Sequence, residues 1–178
     1  MQNEALLIID MINDFNFKDG SLLAEKANKL APSILSLKKR FKKYKKPIIY
    51  INDHYQVKQA DFKKISTICT NALSKPIIEL LLPEDDDYFL LKPKHSAFYG
   101  TSLDDLLHQL KVETLTITGI AGNICVLFTA NDAYMREYEL IIPSDCIGSA
   151  SEQDHIYSLY MMKEVLKANT NHSKSILT

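Results

Sequence analysis

Residues 114–134 read TLTITGIAGNICVLFTANDAY. Thr114 to Thr118 form a short apolar run of the length that fills a buried β-strand. Gly119 and Gly122 follow, and small residues there permit a sharp turn into a helical run from Ile124 to Arg136. Strand, tight turn and helix in this order make the unit from which parallel α/β sheets are assembled.

The same alternation continues on both sides. Further short apolar runs occur at Ala5 to Ile9, Pro47 to Ile51, Tyr88 to Leu91 and Glu139 to Ile142, and they are predicted to be buried parallel strands. Parallel strands need crossover connections. Leu30, Ile34, Leu37, Phe41 and Tyr44 step by four and three, which lays one apolar stripe along a helix. Leu103 to Leu110 and Glu152 to Lys167 are further predicted helices, and Asp61 to Leu82 is a helical region without a sharp pattern. The predicted fold is a three-layer α/β/α sandwich with a mostly parallel, doubly wound sheet. In such sheets the site forms beyond the carboxyl ends of the strands. Asp10 ends the first strand, Lys92 ends the third, and Cys125 opens the helix after the fourth, so all three are expected at one end.

The chain has 178 residues, 46% of them hydrophobic, which suits one domain spanning 1–178 with a sizeable core. A formal net charge of −1 gives no general attraction to phosphates or anionic membranes, so neither nucleic acid nor membrane is an expected partner. Cys69, Cys125 and Cys146 lie far apart with no C-x-x-C pair, which argues against a zinc cage or disulfide framework and for a reducing, cytoplasmic setting. The opening stretch MQNEALLIIDMINDF has no basic region or cleavage site of a signal peptide. Two charge runs, Lys38 to Lys46 (KKRFKKYKK) and Glu84 to Asp87, are expected to be a solvated helix end and a solvated turn.

A cysteine in the first turn of a helix and beside a cation can have its thiol pKa lowered, and the unpaired amides of that turn can hold an oxyanion. A buried structural cysteine is the competing reading. Asp10 has its own alternative, as a carboxylate accepting backbone hydrogen bonds at a strand end, and Asn13 and Asp14 stand close by.

Taken together, LLIIDMINDF, LLKPKHSAFYGTSLDDLL and the Cys125 segment resemble the isochorismatase-like cysteine hydrolases, which include nicotinamidases, N-carbamoylsarcosine amidases and ureidoacrylate amidases. The resemblance runs from residue 5 to about residue 145. It implies a catalytic set of Asp10, Lys92 and Cys125, with Lys94 as the competitor for the lysine role. It also implies an oxyanion hole from the backbone N–H groups of Ala121 and Cys125, beside a cis peptide between Ile120 and Ala121. Phe15 and Phe98 are candidate walls of a small pocket, with core packing as the alternative. Nicotinamidases carry a metal-binding D-x-H, whereas Tyr55 stands where its histidine would fall after Asp53. No catalytic metal and no cofactor are therefore expected, and Asp53 is read as structural or pocket-lining. The implied activity is hydrolysis of an amide or ureido bond in a small molecule, with a homo-oligomer possible. The alternatives are a Cys125–His155 pair supported by Asp145 or Asp154, as in papain-like proteases, and a catalytically idle metabolite- or protein-binding member of the fold.

Overall fold

The computed structural model describes residues 3–55, 57 and 60–176. Strand β1 (Glu4–Ile9) is buried along its whole length. Its side chains divide by parity, as a strand's must. Ala5, Leu7 and Ile9 enter one apolar core, and Leu6 and Ile8 enter another. A strand apolar on both faces needs a helical layer on each side.

Those layers come from the crossovers. Helix α1 (Gly20–Lys43) leads to β2 (Ile48–Asp53), and α2 (Phe62–Cys69) with α3 (Lys75–Leu81) leads to β3 (Tyr88–Lys92). Helix α4 (Leu103–Gln109) precedes β4 (Thr114–Ile120), which turns through a π-helical segment, Gly122–Val126, into α5 (Leu127–Tyr134). The rest is β5 (Glu139–Ile141), a 3₁₀ turn at Ser144–Cys146, β6 (Ile147–Gly148), α6 (Glu152–Tyr160), a second π-helical segment, Met161–Val165, and α7 (Ser173–Ile176). The six-stranded sheet runs in the order β3-β2-β1-β4-β5, with β6 beside β4. Every pairing between these strands is parallel. Helices α1 and α3 cover the face of Leu6 and Ile8, and α4 and α5 cover that of Leu7 and Ile9. This is the doubly wound three-layer sandwich that the alternation predicts.

The stripe beginning at Leu30 is the second half of a longer helix. Leu23, Ala24 and Ala27 continue it toward Gly20, and Pro32 is accommodated inside the helix. The ill-defined region 61–82 resolves into two short helices, the first capped by Asp61, whose side chain accepts from the N–H groups of Lys63 and Lys64.

The two charge runs are not simply solvated. They meet each other. The buried Lys38 ammonium donates to the Leu82 carbonyl at 2.8 Å and lies 3.2 Å from Asp87 and 3.1 Å from Glu84. Lys42 lies 2.7 Å from Asp87, whose side chain is only 1% exposed, and also pairs with Asp86. Sequence separation concealed this, because α1 and the turn before β3 become neighbours only when the crossovers fold back onto the sheet.

Gly119 closes the sheet beside the site. Its φ of +115° is a conformation that side chains rarely adopt. A Cβ there would stand 2.0 Å from the Ile9 carbonyl oxygen, so only glycine lets β4 approach β1 this closely, one residue before Asp10.

Candidate active site

Four strand ends converge on one cluster, in which Asp10, Lys92 and Cys125 are buried and the Asp53 side chain is 55% exposed. Asp10 follows β1 with φ +52°, a left-handed conformation that Asp tolerates better than most residues. Its N–H donates to the Ile51 carbonyl at 3.0 Å, and its Oδ1 accepts the Asp53 N–H at 3.0 Å. Lys92 ends β3 directly opposite Asp53 in the β2–β3 register. The lysine side chain is fully buried. Its Nζ lies 2.8 Å from Asp10 Oδ2, 2.6 Å from Asp53 Oδ1 and 3.4 Å from Cys125 Sγ. An ammonium has three N–H donors, and this one has three acceptors around it.

Cys125 arrives from the other side of β1. The Ile120–Ala121 peptide bond is cis. The Ala121 carbonyl then accepts from the N–H of Ile124 at 3.0 Å and of Val126 at 3.1 Å, the second being the i→i+5 bond of a π turn. Cys125 therefore sits in a π-helical turn that precedes α5, not in the first turn of an α-helix. β6 supports this elbow by pairing with Gly119 and Ile120. The buried Ser149 just beyond β6 accepts the Asn123 N–H at 3.2 Å. The loop after β3 is tied to the same helix, since the Ala97 N–H donates to Thr129 Oγ1 at 3.0 Å and Ser96 donates to Asp132.

The electrostatics correct one expectation. Burial pushes the Cys125 thiol well above its ordinary pKa, and the Asp10 carboxylate pushes in the same direction; Lys92 opposes them but does not prevail. The resting group is a thiol, and the lowered pKa expected from a helix terminus and a cation is not what this surrounding produces. Burial also raises the Asp10 carboxyl, to about 6, against the pull of the Lys92 ammonium, and the charge of Asp53 adds to the rise. Burial alone would lower Lys92, but the Asp10 and Asp53 carboxylates hold it above the ordinary lysine value. At neutral pH the cluster is thus a carboxylate, an ammonium and a thiol in mutual contact.

The competing residues lie elsewhere. Lys94 is exposed on the rim of an open cleft of about 520 Å³, which Asn13, Asp14, Asp53 and His95 also line. Asn13 and Asp14 accept the N–H groups of Phe15 and Asn16 and so shape the turn after β1. His155 faces a different cleft with Lys26, Leu30 and Glu152, and burial lowers its pKa. Asp145 holds Ser173 and His172 in the C-terminal segment, and Asp154 is exposed. Phe15 is a buried core side chain on the α1 face. Phe98 packs in the opposite core, stacked on Tyr138 and covered by the Arg136 guanidinium.

The residues around Asp53 do not fit a divalent cation. Its Oδ1 is engaged by an ammonium, and Tyr55 is turned toward the cluster of Ile12, Ile65 and Ile78, where it bonds the Cys69 sulfur. Ser149 is a site neighbour that sequence reading did not single out, and Asp53, read as structural or pocket-lining, lines the cleft and also contacts Lys92. Asp53 had a usable signal, as an acid closing an apolar strand just as Asp10 does. Ser149 had none, because β6 is only two residues long.

An isochorismatase domain model matches residues 4–172. YaaI, an uncharacterized isochorismatase family protein of Bacillus subtilis, is 57% identical over 175 residues, covering 98% of this chain and 97% of that protein. The ureidoacrylate amidohydrolase RutB of Methylorubrum extorquens is 43% identical over 74 residues, covering 42% of this chain and 30% of that protein. The crystal structure of N-carbamoylsarcosine amidase from Thermoplasma acidophilum superposes with a TM-score of 0.75 at 27% identity, covering 97% of each chain. A domain match across nearly the whole chain, a relative aligned end to end and the shared fold lead to one conclusion: the chain belongs to the isochorismatase family of hydrolases.

Proposed function

We propose that the chain is a cysteine amidohydrolase acting on a small-molecule amide or ureido C–N bond, with Asp10, Lys92 and Cys125 as its catalytic residues. The observation that carries this reading is the contact of the Lys92 ammonium with both the Asp10 carboxylate and the Cys125 sulfur in a buried cluster. A thiol, a base and a fixed cation within reach of one another are the parts that nucleophilic acyl transfer requires. The relatives named for ureidoacrylate and N-carbamoylsarcosine hydrolysis fit the same bond class.

In this mechanism Asp10 accepts the Cys125 proton as sulfur bonds to the substrate carbonyl carbon, and Lys92 offsets the charge gathering on the sulfur. The backbone N–H groups of Ala121 and Cys125 receive the carbonyl oxygen as it becomes an oxyanion. The tetrahedral intermediate collapses with cleavage of the C–N bond, and Asp10 returns the proton to the departing nitrogen. Water then gives a proton to Asp10 and its oxygen to the thioester carbon; the C–S bond breaks, and Asp10 reprotonates the sulfur. Because the thiol pKa is high at rest, proton transfer accompanies attack in this scheme instead of preceding it.

The proposal includes a metal-free site and a cytoplasmic setting. Among the described residues no helix is long and apolar enough to cross a membrane. Small amides and ureido compounds should release ammonia or amine with the wild-type protein and not with Cys125→Ala. Turnover retained in that variant overturns the scheme, as does a Cys125 no more reactive to iodoacetamide than Cys69.

A further inference from the structure

We infer that Asp53 is a positioning residue of this site, holding the Lys92 ammonium so that its third N–H is directed at the Cys125 sulfur. The inference rests on the proposed cysteine chemistry and adds a fourth side chain to it. The two residues are partners in the β2–β3 register, so the backbone itself sets their side chains opposite each other at the carboxyl ends of both strands. The resulting contact, 2.6 Å, is the shortest of the three that Lys92 makes within the cluster.

The geometry of the ammonium gives that contact its consequence. Its three N–H bonds diverge tetrahedrally, and two fixed acceptors leave one direction for the third. Asp10 alone would leave Nζ free to swing about the remaining contact, and a lysine stem has many rotamers to swing through. Asp53, at 2.6 Å, removes that freedom. It also joins Lys92 to Asp10 a second way, because the Asp53 N–H donates to Asp10 Oδ1. Base, cation and sulfur are thereby fixed relative to one another by a residue that contacts two of them. Lys94 and Tyr55, close by in sequence, do not duplicate this role. Lys94 is exposed on the cleft rim, and Tyr55 bonds Cys69.

Asp53→Asn and Asp53→Ala separate the two things that Asp53 supplies. Asn keeps an oxygen acceptor for Lys92 and drops the charge, whereas Ala drops both. The readout is the rate of Cys125 alkylation by iodoacetamide at neutral pH, followed by peptide mass spectrometry, and it needs no knowledge of the substrate. Both variants lose the Asp53 charge, so the comparison is between them: alanine should alkylate at Cys125 up to roughly fivefold more slowly than asparagine, the scale of a partly exposed ion pair. Cys69 and Cys146 are 0% exposed against 9% for Cys125 and serve as internal controls, since a folded variant leaves both unmodified. Should alanine unfold the protein, Asp53→Ser, too short to reach Lys92, gives the same comparison with asparagine. Equal rates in the asparagine and shortened variants overturn the inference. On any substrate found by the amide screen, the shortened variant should lose kcat with KM little changed; a rise in KM alone would make Asp53 a substrate contact instead. Failure of the amidase reading appears separately, as an inert Cys125 or absent turnover in the wild-type protein.

Discussion

Replacing Asp10 with Asn should change how the stability of the protein depends on pH. The Asp10 side chain is 5% exposed, and its carboxyl is raised by burial from an ordinary 3.8 to about 6. The folded protein therefore binds the Asp10 proton more tightly than the unfolded chain does. This contributes stability that is fully present below pH 3.8 and is lost as pH rises through 6. At about 1.4 kcal/mol per pH unit the whole contribution is about 3 kcal/mol, of which about 2 kcal/mol disappears between pH 4.5 and 7. The asparagine variant lacks this titration in both states. Urea denaturation of both proteins across that interval should show the variant gaining about 2 kcal/mol relative to wild type. A ¹³C carboxyl titration, with the variant assigning the resonance, should place the Asp10 midpoint near 6. The same ionisation should set the acid limb of kcat/KM for any substrate, because Asp10 must be ionised to accept the thiol proton. A midpoint near 4, or parallel stability curves for the two proteins, refutes the claim that burial outweighs the Lys92 ammonium.

Two further substitutions test how the frame holds the site. Gly119→Ala places a Cβ 2.0 Å from the Ile9 carbonyl oxygen at a φ of +115°, and should cost about 3 kcal/mol while displacing Asp10 from Cys125. Its urea midpoint should fall and its Cys125 alkylation rate should change; a midpoint equal to wild type sinks the packing argument. Asp87→Ala removes a buried partner of Lys38 and Lys42 and should lower stability by about 3 kcal/mol, read by urea denaturation. Cys125 alkylation should be unaffected, because this charge cluster joins α1 to the turn before β3 and does not touch the site.

The sheet, its two covering layers and the end at which the site lies are legible in the sequence. Those follow from local signals: apolar runs of strand length, helical spacing between them, and the polar residues Asp10 and Lys92 that close the strands. Other features depend on which strands become neighbours and in what register. Asp53 meets Lys92 because β2 and β3 pair side by side, and Ser149 reaches the Cys125 elbow because a two-residue strand lies against β4. The basic run of α1 finds the acidic run before β3 for the same reason. The state of the central thiol was likewise decided only in three dimensions. A cysteine beside a lysine suggests a thiolate when read along the chain. Desolvation and a neighbouring carboxylate make it a thiol, and both are properties of the space around a residue, which spacing along the chain does not encode.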